Sequence, residues 1–437
     1  MERQGKRDRQ VLLRPPVEAE EEVNSGLPTA ARLRRPRPKA AAAVASFGCR
    51  EWTDQPMNLT PENRDRETDE RFMREALSLA TQGEGYVEPN PMVGCVLVRD
   101  SELIGKGYHQ RFGGPHAEVE ALRSLASAER SRGATAYVTL EPCCHQGKTP
   151  PCSRALIDAG VTRVVVAMPD PFPQVDGGGL SELRDAGIET TVGVLRKEAE
   201  SLNQPYLKRV RTGRPWVIAK WAMTMDGRIA TSAGKSQWIT GTAARAEVHR
   251  LRSRVDAVAV GMGTVVADDP SLTTRSTDSQ FRPARVASRI VFCRQRVPEP
   301  SARLFQALPD APLLLVVGPS VTSANRSKLR AAGAELLEIE SDDEQKMVLE
   351  ALAILGDRGM TNLMVEGGAE LLASFFGAGE VDECHVYVGA KTFGGQSAKG
   401  PIGGVGAQEM TDAWPFELMS LQQLETDIHA VYRRSDG

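Results

Sequence analysis

One histidine and two cysteines constrain this chain more than any other feature, because a shared metal would require them to meet in space. The string HAE places His116 two positions before Glu118, and the string EPCCHQGKTPPC supplies Cys143 and Cys152. One imidazole and two thiolates are a ligand set that catalytic zinc uses while a fourth position stays open for water. We therefore expect His116, Cys143 and Cys152 to hold one Zn²⁺ ion per chain.

Glu118 lies close enough to this ligand set to reach a water molecule without being a ligand itself. In zinc deaminases the metal activates a water, and a glutamate carries a proton from that water to the departing amine. The pattern therefore predicts a deaminase with Glu118 as the catalytic residue. A lone His-x-Glu is weak and would favour a surface helix, but the two cysteines behind the apolar run 136–140 favour the metal site.

A structural zinc site is the alternative that the spacing leaves open. Structural zinc is usually closed by four protein ligands. His109 or Cys144 would then have to supply the fourth ligand, and the domain would serve binding rather than catalysis. A water molecule at the fourth position distinguishes the two interpretations.

Composition places the chain among ordinary globular proteins and limits its partners. Its 437 residues suggest two or three domains, and 41% are hydrophobic while 25% are charged. A net charge of −3 with 5% aromatic residues offers no basic, aromatic-rich surface, so no nucleic-acid partner is expected. No apolar run approaches the roughly 20 residues that span a bilayer, so no membrane partner is expected. Seven cysteines, two of them proposed as thiolate ligands, fit a reducing, cytoplasmic setting.

The order of sequence patterns predicts three segments. Residues 1–65, with an acidic run and a proline–arginine stretch, are expected to be a disordered extension, either a dispensable tail or the product of an upstream start before Met57. Its early glutamates argue against a transit peptide. Residues 66–205 alternate helical and apolar strand patterns, which predicts a three-layer α/β deaminase domain whose first helix, over 69–81, is capped by Asp69. The basic run 206–214 is taken as a solvated boundary.

Residues 206–437 predict a second α/β domain. Strands are expected at 216–222, 256–260 and 363–365, with Thr240 or Thr242 capping the helix that runs to about residue 254. Glycine pairs follow two of these strands, and glycines at such ends allow backbone N–H groups to approach a phosphate. No complete Gly-x-Gly-x-x-Gly follows a strand, so the pattern favours a nucleotide cleft without supporting a classical dinucleotide fold.

Several strings resemble those of the bifunctional deaminase–reductase family of riboflavin biosynthesis, over about residues 69–432. In the first half these are PNPMVGCVLV, GYHQRFGGPHAEVEAL and TLEPCCHQGKTPPC, and in the second half KWAMTMDGRIA, SQWITG, VGMGTVVADDPSLTTR and VEGGAELL. The resemblance implies a cytidine-deaminase-like domain followed by a dihydrofolate-reductase-like α/β domain. It also implies NADPH as a cofactor, small phosphoribosylaminopyrimidine substrates and a homodimer.

The same resemblance implies roles for particular residues. In the reductase half the cofactor would contact Ala222, Trp238, Thr264, Asp268 and Gly368, and the substrate would contact Ser236, Leu272, Arg275 and Glu366. Lys220 and Asp226 would lie near the same cleft. In the deaminase half Asn90 and His145 would contact the substrate, whereas Phe172 replaces the family's usual asparagine and Cys144 is expected to pack. An alternative remains, namely another zinc nucleoside or nucleobase deaminase fused to an unrelated nucleotide-binding domain.

Overall fold

The computed structural model describes residues 61–145, 150–275 and 283–435. Within these ranges the α-helices are α1 Pro61–Ala80, α2 Ala117–Arg123, α3 Cys152–Asp158, α4 Gly178–Asp185, α5 Arg196–Leu202, α6 Gln204–Thr212, α7 Thr242–Arg252, α8 Met262–Asp268, α9 Arg303–Gln306, α10 Ser323–Ala331, α11 Glu344–Asp357 and α12 Ala369–Gly377. The strands are β1 Gly94–Arg99, β2 Glu102–Tyr108, β3 Thr135–Val138, β4 Arg163–Val166, β5 Glu189–Val192, β6 Trp216–Thr224, β7 Ala257–Gly261, β8 Ser288–Cys293, β9 Leu313–Val317, β10 Glu335–Glu338, β11 Asn362–Val365, β12 Glu383–Gly389, β13 Phe416–Leu424 and β14 Asp427–Arg434.

The first half of the described chain forms a sheet in the order β2-β1-β3-β4-β5. Cys95 of β1 pairs with Gly107 of β2, so Gly94 faces the side of the sheet opposite to Gly107. A Cβ atom added to Gly94 would meet the backbone of α1, and one added to Gly107 would meet the backbone of α2. The two helices therefore press closely on opposite faces, which is the predicted three-layer arrangement.

The start of α1 differs from the prediction. The helix begins at Pro61, inside the segment expected to be an extension, so Asp69 lies in its interior and is not an N-cap. The Asp69 carboxylate instead accepts two hydrogen bonds of 2.8 Å from Arg163 and one of 3.0 Å from the Tyr137 hydroxyl. It joins α1 to the neighbouring strands. The rest of the predicted extension, residues 1–60, lies outside the described residues.

The second half of the described chain forms a sheet in the order β10-β9-β8-β7-β11-β6-β12-β14-β13. The strands from β10 to β12 are parallel, and the last two are antiparallel additions. Buried residues alternate along β6, with Val217 and Ala219 in one apolar core and Ile218 in the other. The carboxyl ends of the parallel strands meet at one edge, where α/β sheets form their ligand clefts.

The helix α7 begins without the predicted threonine cap. Gly241 is its N-cap residue, and neither Thr240 nor Thr242 supplies a capping side chain. The backbone N–H of Gly241 instead donates a 2.6 Å hydrogen bond to the Asp427 carboxylate. A residue distant in sequence thus takes over the capping role.

The basic run at the predicted boundary lies mostly within α6. The Lys208 side chain is only 13% exposed, and its Nζ donates to Glu380 at 3.3 Å and Asp382 at 2.6 Å. Arg214 pairs with the same Glu380. The expectation of a purely solvated run is therefore wrong for these two residues, because acidic groups of the second half neutralise them. None of the described helices has the length and apolar character needed to cross a membrane.

Candidate active sites

The three predicted zinc ligands converge in the structure. Ligand atoms of His116, Cys143 and Cys152 all lie within 4.8 Å of one another. His116 Nδ1 lies 3.3 Å from the Cys152 sulfur and 3.5 Å from the Cys143 sulfur. His116 is the N-cap of α2 and Cys152 is the first residue of α3, whereas Cys143 lies in the loop that precedes α3.

Hydrogen bonds at this cluster favour a thiolate at Cys143. The Cys152 thiol and His116 both interact with its sulfur, and the backbone N–H of Cys152 donates to it at 3.4 Å. These contacts hold the pKa of Cys143 well below its usual range, with the Cys152 contact contributing most. The thiolate is the form that ligates metal. The same contact raises the pKa of Cys152, so its thiol would release a proton when a metal binds. The chemical types and convergence of the three donors therefore fit a zinc ion.

Glu118 is buried beside these ligands, with 3% of its surface exposed. Its Oε2 atom has no hydrogen-bond partner among the described residues. Burial raises the pKa of Glu118 to about 7, so its carboxyl group can hold or release a proton near neutral pH. An unpartnered buried carboxyl oxygen of this kind fits a proton shuttle better than a structural role.

Neither candidate for a fourth protein ligand joins the cluster. His109 Nδ1 donates to the Pro115 carbonyl at 2.9 Å, so its Nε2 accepts the 3.1 Å hydrogen bond from Asn90 Nδ2. The Cys144 sulfur contacts the Gln174 carbonyl at 3.7 Å instead. Within the described ranges the metal-ligating group thus has three members, as a catalytic zinc with an open position requires.

A cavity of about 410 Å³ opens beside the cluster, and Asn90, His116, Glu118, Cys143 and His145 line it. Because the Asn90 amide nitrogen is engaged by His109, its Oδ1 remains as the hydrogen-bond acceptor for a ring. His145 Nδ1 is buried and has no partner among the described residues, which suits a contact to a ligand.

The far wall of this cavity carries Phe172, the residue that stands where the resembling family usually has an asparagine. Its backbone N–H donates to Asp170 at 3.0 Å, and its ring centroid lies 6.4 Å from that of His145. The phenyl ring offers packing where an asparagine would offer a polar contact. Asp170 in turn accepts a 2.7 Å hydrogen bond from the Tyr206 hydroxyl, so its carboxylate is held in place.

Sequence reasoning missed two residues that shape the cavity. Glu141 is buried and accepts backbone hydrogen bonds from Asp170, Gly177 and Leu180 at 3.3, 3.2 and 3.1 Å. Glu141 therefore fixes the loop that carries the far wall of the cavity. In the sequence, the only indication of this role was a charged residue directly before Pro-Cys. Arg209 reaches the cavity from α6, where it was taken for part of a solvated run.

The reductase residues surround two adjoining cavities of about 560 and 660 Å³, which share Ser236, Thr264 and Asp268. Each of the nine predicted contacts lines at least one of them, namely Ala222, Ser236, Trp238, Thr264, Asp268, Leu272, Arg275, Glu366 and Gly368. The individual roles given to these residues stay predictions. The structure brings together residues that are distant in sequence, as a binding cleft requires.

Glu366 is held by an arginine that the sequence did not single out. Arg252 donates to both carboxylate oxygens, through Nε to Oε1 and through Nη2 to Oε2 at 2.6 Å. Burial alone would raise the pKa of Glu366, but the Arg252 guanidinium outweighs it and lowers the pKa to about 2. Arg252 ends α7 among other basic residues, and nothing in that local pattern distinguishes it.

Three further residues predicted to line the reductase site, Ser236, Trp238 and Arg275, each make a different contact. Ser236 Oγ donates to Asp268 at 3.1 Å, which joins a proposed substrate contact to a proposed cofactor contact. Trp238 is 61% exposed, and the Arg245 guanidinium lies 4.6 Å from its ring centroid. Arg275 donates through its backbone to His249 at 3.1 Å. Trp238 therefore lies at the surface beside the larger cavity and is not part of the core.

Asp226 does not line either cavity, contrary to the expectation from the resemblance. Its carboxylate accepts hydrogen bonds from the backbone of Phe393 at 3.1 Å and Gly394 at 2.7 Å. These bonds anchor the loop after β12. Lys220, by contrast, does line the larger cavity.

The glycine pair after β11 builds the start of α12 as predicted. Gly367 has φ of 91°, which disfavours any residue with a side chain, and Gly368 is the N-cap. A Cβ atom added to Gly368 would lie 3.3 Å from the Thr264 hydroxyl. The pair therefore keeps the backbone open toward the smaller cavity, where a phosphate could approach.

Together, the fold and the two sites define an enzyme with a zinc deaminase domain followed by an α/β reductase domain that uses a nucleotide cofactor. Family models match the same two parts, with the "Cytidine and deoxycytidylate deaminase zinc-binding region" over residues 66–168 and the "RibD C-terminal domain" over residues 215–430. Riboflavin biosynthesis protein RibD of Escherichia coli is 41% identical over 372 residues, 82% of this chain and 98% of the relative. The RibD of Actinobacillus pleuropneumoniae is 39% identical over 84% of this chain and 95% of the relative.

Solved structures agree with these relatives. Acinetobacter baumannii RibD superposes with a TM-score of 0.74 and 38% identity, covering 85% of this chain and all of that one. The Thermotoga maritima deaminase/reductase has a TM-score of 0.71 and 32% identity over the same share. The chain therefore belongs to the RibD family of bifunctional riboflavin-biosynthesis deaminase–reductases. The alternative of a deaminase fused to an unrelated domain is thereby wrong.

Proposed function

We propose that the protein deaminates 2,5-diamino-6-(5-phosphoribosylamino)pyrimidin-4(3H)-one and then reduces 5-amino-6-(5-phosphoribosylamino)uracil to the ribitylamino phosphate with NADPH. The observation that carries this proposal is the convergence of His116, Cys143 and Cys152 beside the buried Glu118, whose Oε2 atom has no hydrogen-bond partner among the described residues. The Thermotoga maritima relative is described as a diaminohydroxyphosphoribosylaminopyrimidine deaminase and 5-amino-6-(5-phosphoribosylamino)uracil reductase. Both substrates carry the phosphate by which either cavity could hold them.

In the deaminase cavity the protein's own groups position the ring and move a proton. Zinc held by His116, Cys143 and Cys152 would supply the electrophile that activates water for attack on the amino-bearing carbon. Glu118 accepts the proton of that water at Oε2 and delivers it to the leaving amine nitrogen. Asn90 Oδ1 accepts a hydrogen bond from the ring, and His145 Nδ1 offers a second polar contact.

In the reductase cavities the protein mainly positions two partners. NADPH would supply the hydride, so the chain must align the sugar carbon with the nicotinamide and exclude water. Arg275 can bind the 5′-phosphate through its planar guanidinium. Glu366, kept ionised by Arg252, offers two acceptor oxygens to the substrate.

The preference for NADPH over NADH is proposed from two arginines after β8. Arg294 and Arg296 line the smaller cavity at the carboxyl end of that strand. A guanidinium can bind the 2′-phosphate of NADP with two parallel hydrogen bonds, so these two side chains are the proposed contacts. Replacing both by alanine should raise the KM for NADPH and leave that for NADH unchanged, while Arg330→Ala on α10 serves as a remote control. Equal changes for both cofactors would contradict the assignment.

The proposed function is tested by incubating the purified protein with the diaminopyrimidinone phosphate, with and without NADPH, and analysing the products by mass spectrometry. Without NADPH the deaminated pyrimidine should accumulate together with ammonia. With NADPH the ribitylamino product should appear and NADPH absorbance should fall. Failure to release ammonia from this substrate would refute the deaminase assignment, and deamination without any NADPH oxidation would refute the reductase assignment.

The cytoplasmic location of the protein stays a prediction. We also propose that the protein is a homodimer. The strand β13 lies at the edge of the second sheet and exposes Leu418 and Leu421. An edge strand can pair with the same strand of a second copy around a two-fold axis, which is self-complementary. Sedimentation equilibrium should give twice the chain mass, and Leu421→Lys should shift the protein toward the monomer. A monomeric wild-type protein would contradict the proposal.

A further inference from the structure

The larger reductase cavity contains a buried tyrosine to which no role has been given. Tyr387 of β12 lines this cavity together with Lys220, Glu366 and Arg275, and its side chain is 0% exposed. Its hydroxyl oxygen has no hydrogen-bond partner among the described residues. Leaving a buried hydroxyl unpaired destabilises a protein, so its presence in a cavity points to a ligand partner.

The surroundings of Tyr387 fix the orientation of its ring. The His429 imidazole stacks on it with centroids 4.2 Å apart and planes 3° from parallel. His385 Nε2 donates to Glu383 at 2.9 Å, which leaves its Nδ1 to accept the 3.1 Å hydrogen bond from His429 Nε2. This chain of hydrogen bonds holds the stacking imidazole, and hence the ring, in one position.

The electrostatics around the hydroxyl keep it protonated until a strong acceptor arrives. Burial, followed by the charges of Glu247 and Glu366, raises the pKa of Tyr387 well above its usual value. Lys220 Nζ lies 5.7 Å from the ring centroid, on the adjacent strand β6. Burial lowers the pKa of Lys220, and in its ammonium form this side chain would lower the cost of a phenolate that forms during reaction.

Hydride reduction of the sugar requires a proton as well as the hydride. We propose that Tyr387 is the catalytic acid of the reductase half. The proposal deepens the reductase function proposed above and rests on it.

In this step the sugar carbon C1′ gains the hydride from the reduced nicotinamide, which is thereby oxidised. The C1′–O bond breaks and its electron pair moves to the oxygen. The Oη–H bond of Tyr387 breaks, and its proton goes to that oxygen. Solvent returns a proton to the phenolate after the product leaves, so the cycle consumes one hydride and one proton.

The decisive variant is Tyr387→Phe, which keeps the ring on His429 and removes only the hydroxyl. Because that hydroxyl has no hydrogen-bond partner in the part of the chain that the structure describes, the variant should unfold at the same temperature as the wild type or higher. Deamination by the same polypeptide provides a second check that it is folded. Tyr432→Phe, on the opposite face of the sheet, is the matched control.

We expect Tyr387→Phe to lower the reductase kcat by about 10²-fold or more with little change in KM. Calorimetric binding of the deaminated substrate without cofactor should be unchanged, because the proton is transferred only in the transition state. A kcat within about three-fold of wild type would overturn the proposal. So would a weakened Kd with kcat retained, since that pattern would make the hydroxyl a ground-state contact. A wild-type protein that reduces nothing would instead refute the proposed function.

Discussion

Glu118 and Glu366 are both buried carboxylates, yet their surroundings drive them to opposite states. Burial raises the pKa of Glu118 to about 7, because the charge of His116 and the hydrogen bond to Cys152 do not offset it. Burial acts in the same direction on Glu366, but the two hydrogen bonds from Arg252 lower its pKa to about 2. A group that exchanges protons near neutral pH suits acid–base chemistry, and a permanently ionised one suits binding.

Replacing Glu118 tests the first of these roles. Glu118→Ala should retain bound zinc, because the carboxylate is not among the three ligands, and should lose deamination by about 10²-fold or more. Reductase activity on deaminated substrate should be unchanged. Zinc content by elemental analysis and ammonia release check both parts, and loss of zinc with activity would show that Glu118 is a structural residue.

The Glu366→Gln variant tests the second role, that of a permanently ionised carboxylate. The change leaves Arg252 buried without its counter-charge, and should cost about 3–5 kcal/mol of unfolding free energy at neutral pH. The folded-state pKa lies below the ordinary value of 4.5, so this carboxylate stabilises the fold fully above about pH 4.5. Its contribution falls as the pH drops toward 2.

Urea unfolding at pH 7 and pH 3 measures this effect. The difference between wild type and Glu366→Gln should be largest at pH 7 and smaller at pH 3. Glu335→Gln breaks an exposed pair with Arg358 and should cost no more than about 1 kcal/mol. A Glu366→Gln variant as stable as this control would contradict the buried pair.

At the level of secondary structure, apolar runs predicted strands correctly, whereas candidate capping residues did not predict where helices begin. The runs at 256–260 and 363–365 became β7 and β11, because strands buried on both faces tolerate only apolar residues. Asp69, Thr240 and Thr242 have good capping side chains, but α1 begins upstream at Pro61 and α7 is capped from Asp427. A local preference cannot reveal a competing partner that is distant in sequence.

The helix α6 is the element that joins the two halves. Lys208 on this helix places its charge between Glu380 and Asp382 of the second half. Burial raises the pKa of Asp382 to about 6 even though Lys208 opposes it, so losing the lysine would leave two acidic groups without their cation. A reductase fragment should therefore need α6.

Two truncated chains test this requirement. Residues 203–437, which retain α6, should fold and reduce deaminated substrate, whereas residues 215–437 should lose at least about 2 kcal/mol of unfolding free energy. Thermal unfolding and NADPH oxidation measure both. Equal stability of the two fragments would mean that α6 belongs only to the deaminase half, and an inactive but folded longer fragment would refute an independent reductase.

Over the whole molecule, the sequence predicted the order of the domains and the meeting of the zinc ligands, since both follow from motifs. It did not predict the contacts between the halves. Arg285, for example, donates to the carbonyls of Gly85 at 3.1 Å and Glu88 at 3.2 Å, near the loop that carries Asn90. The sequence around an arginine that bridges two domains does not indicate this role, because its partners are distant in sequence and come close only in the folded protein.

The central claim is that one imidazole and two thiolates hold a zinc ion whose fourth position is left to solvent. X-ray absorption spectroscopy of the zinc-loaded protein tests it most directly. We expect two sulfur neighbours at about 2.3 Å, one nitrogen at about 2.0–2.1 Å and one light atom from water. The Cys152→Ser variant should lose one sulfur neighbour, and Cys144→Ser should lose none. A third sulfur or a second imidazole in the wild-type spectrum would contradict the account.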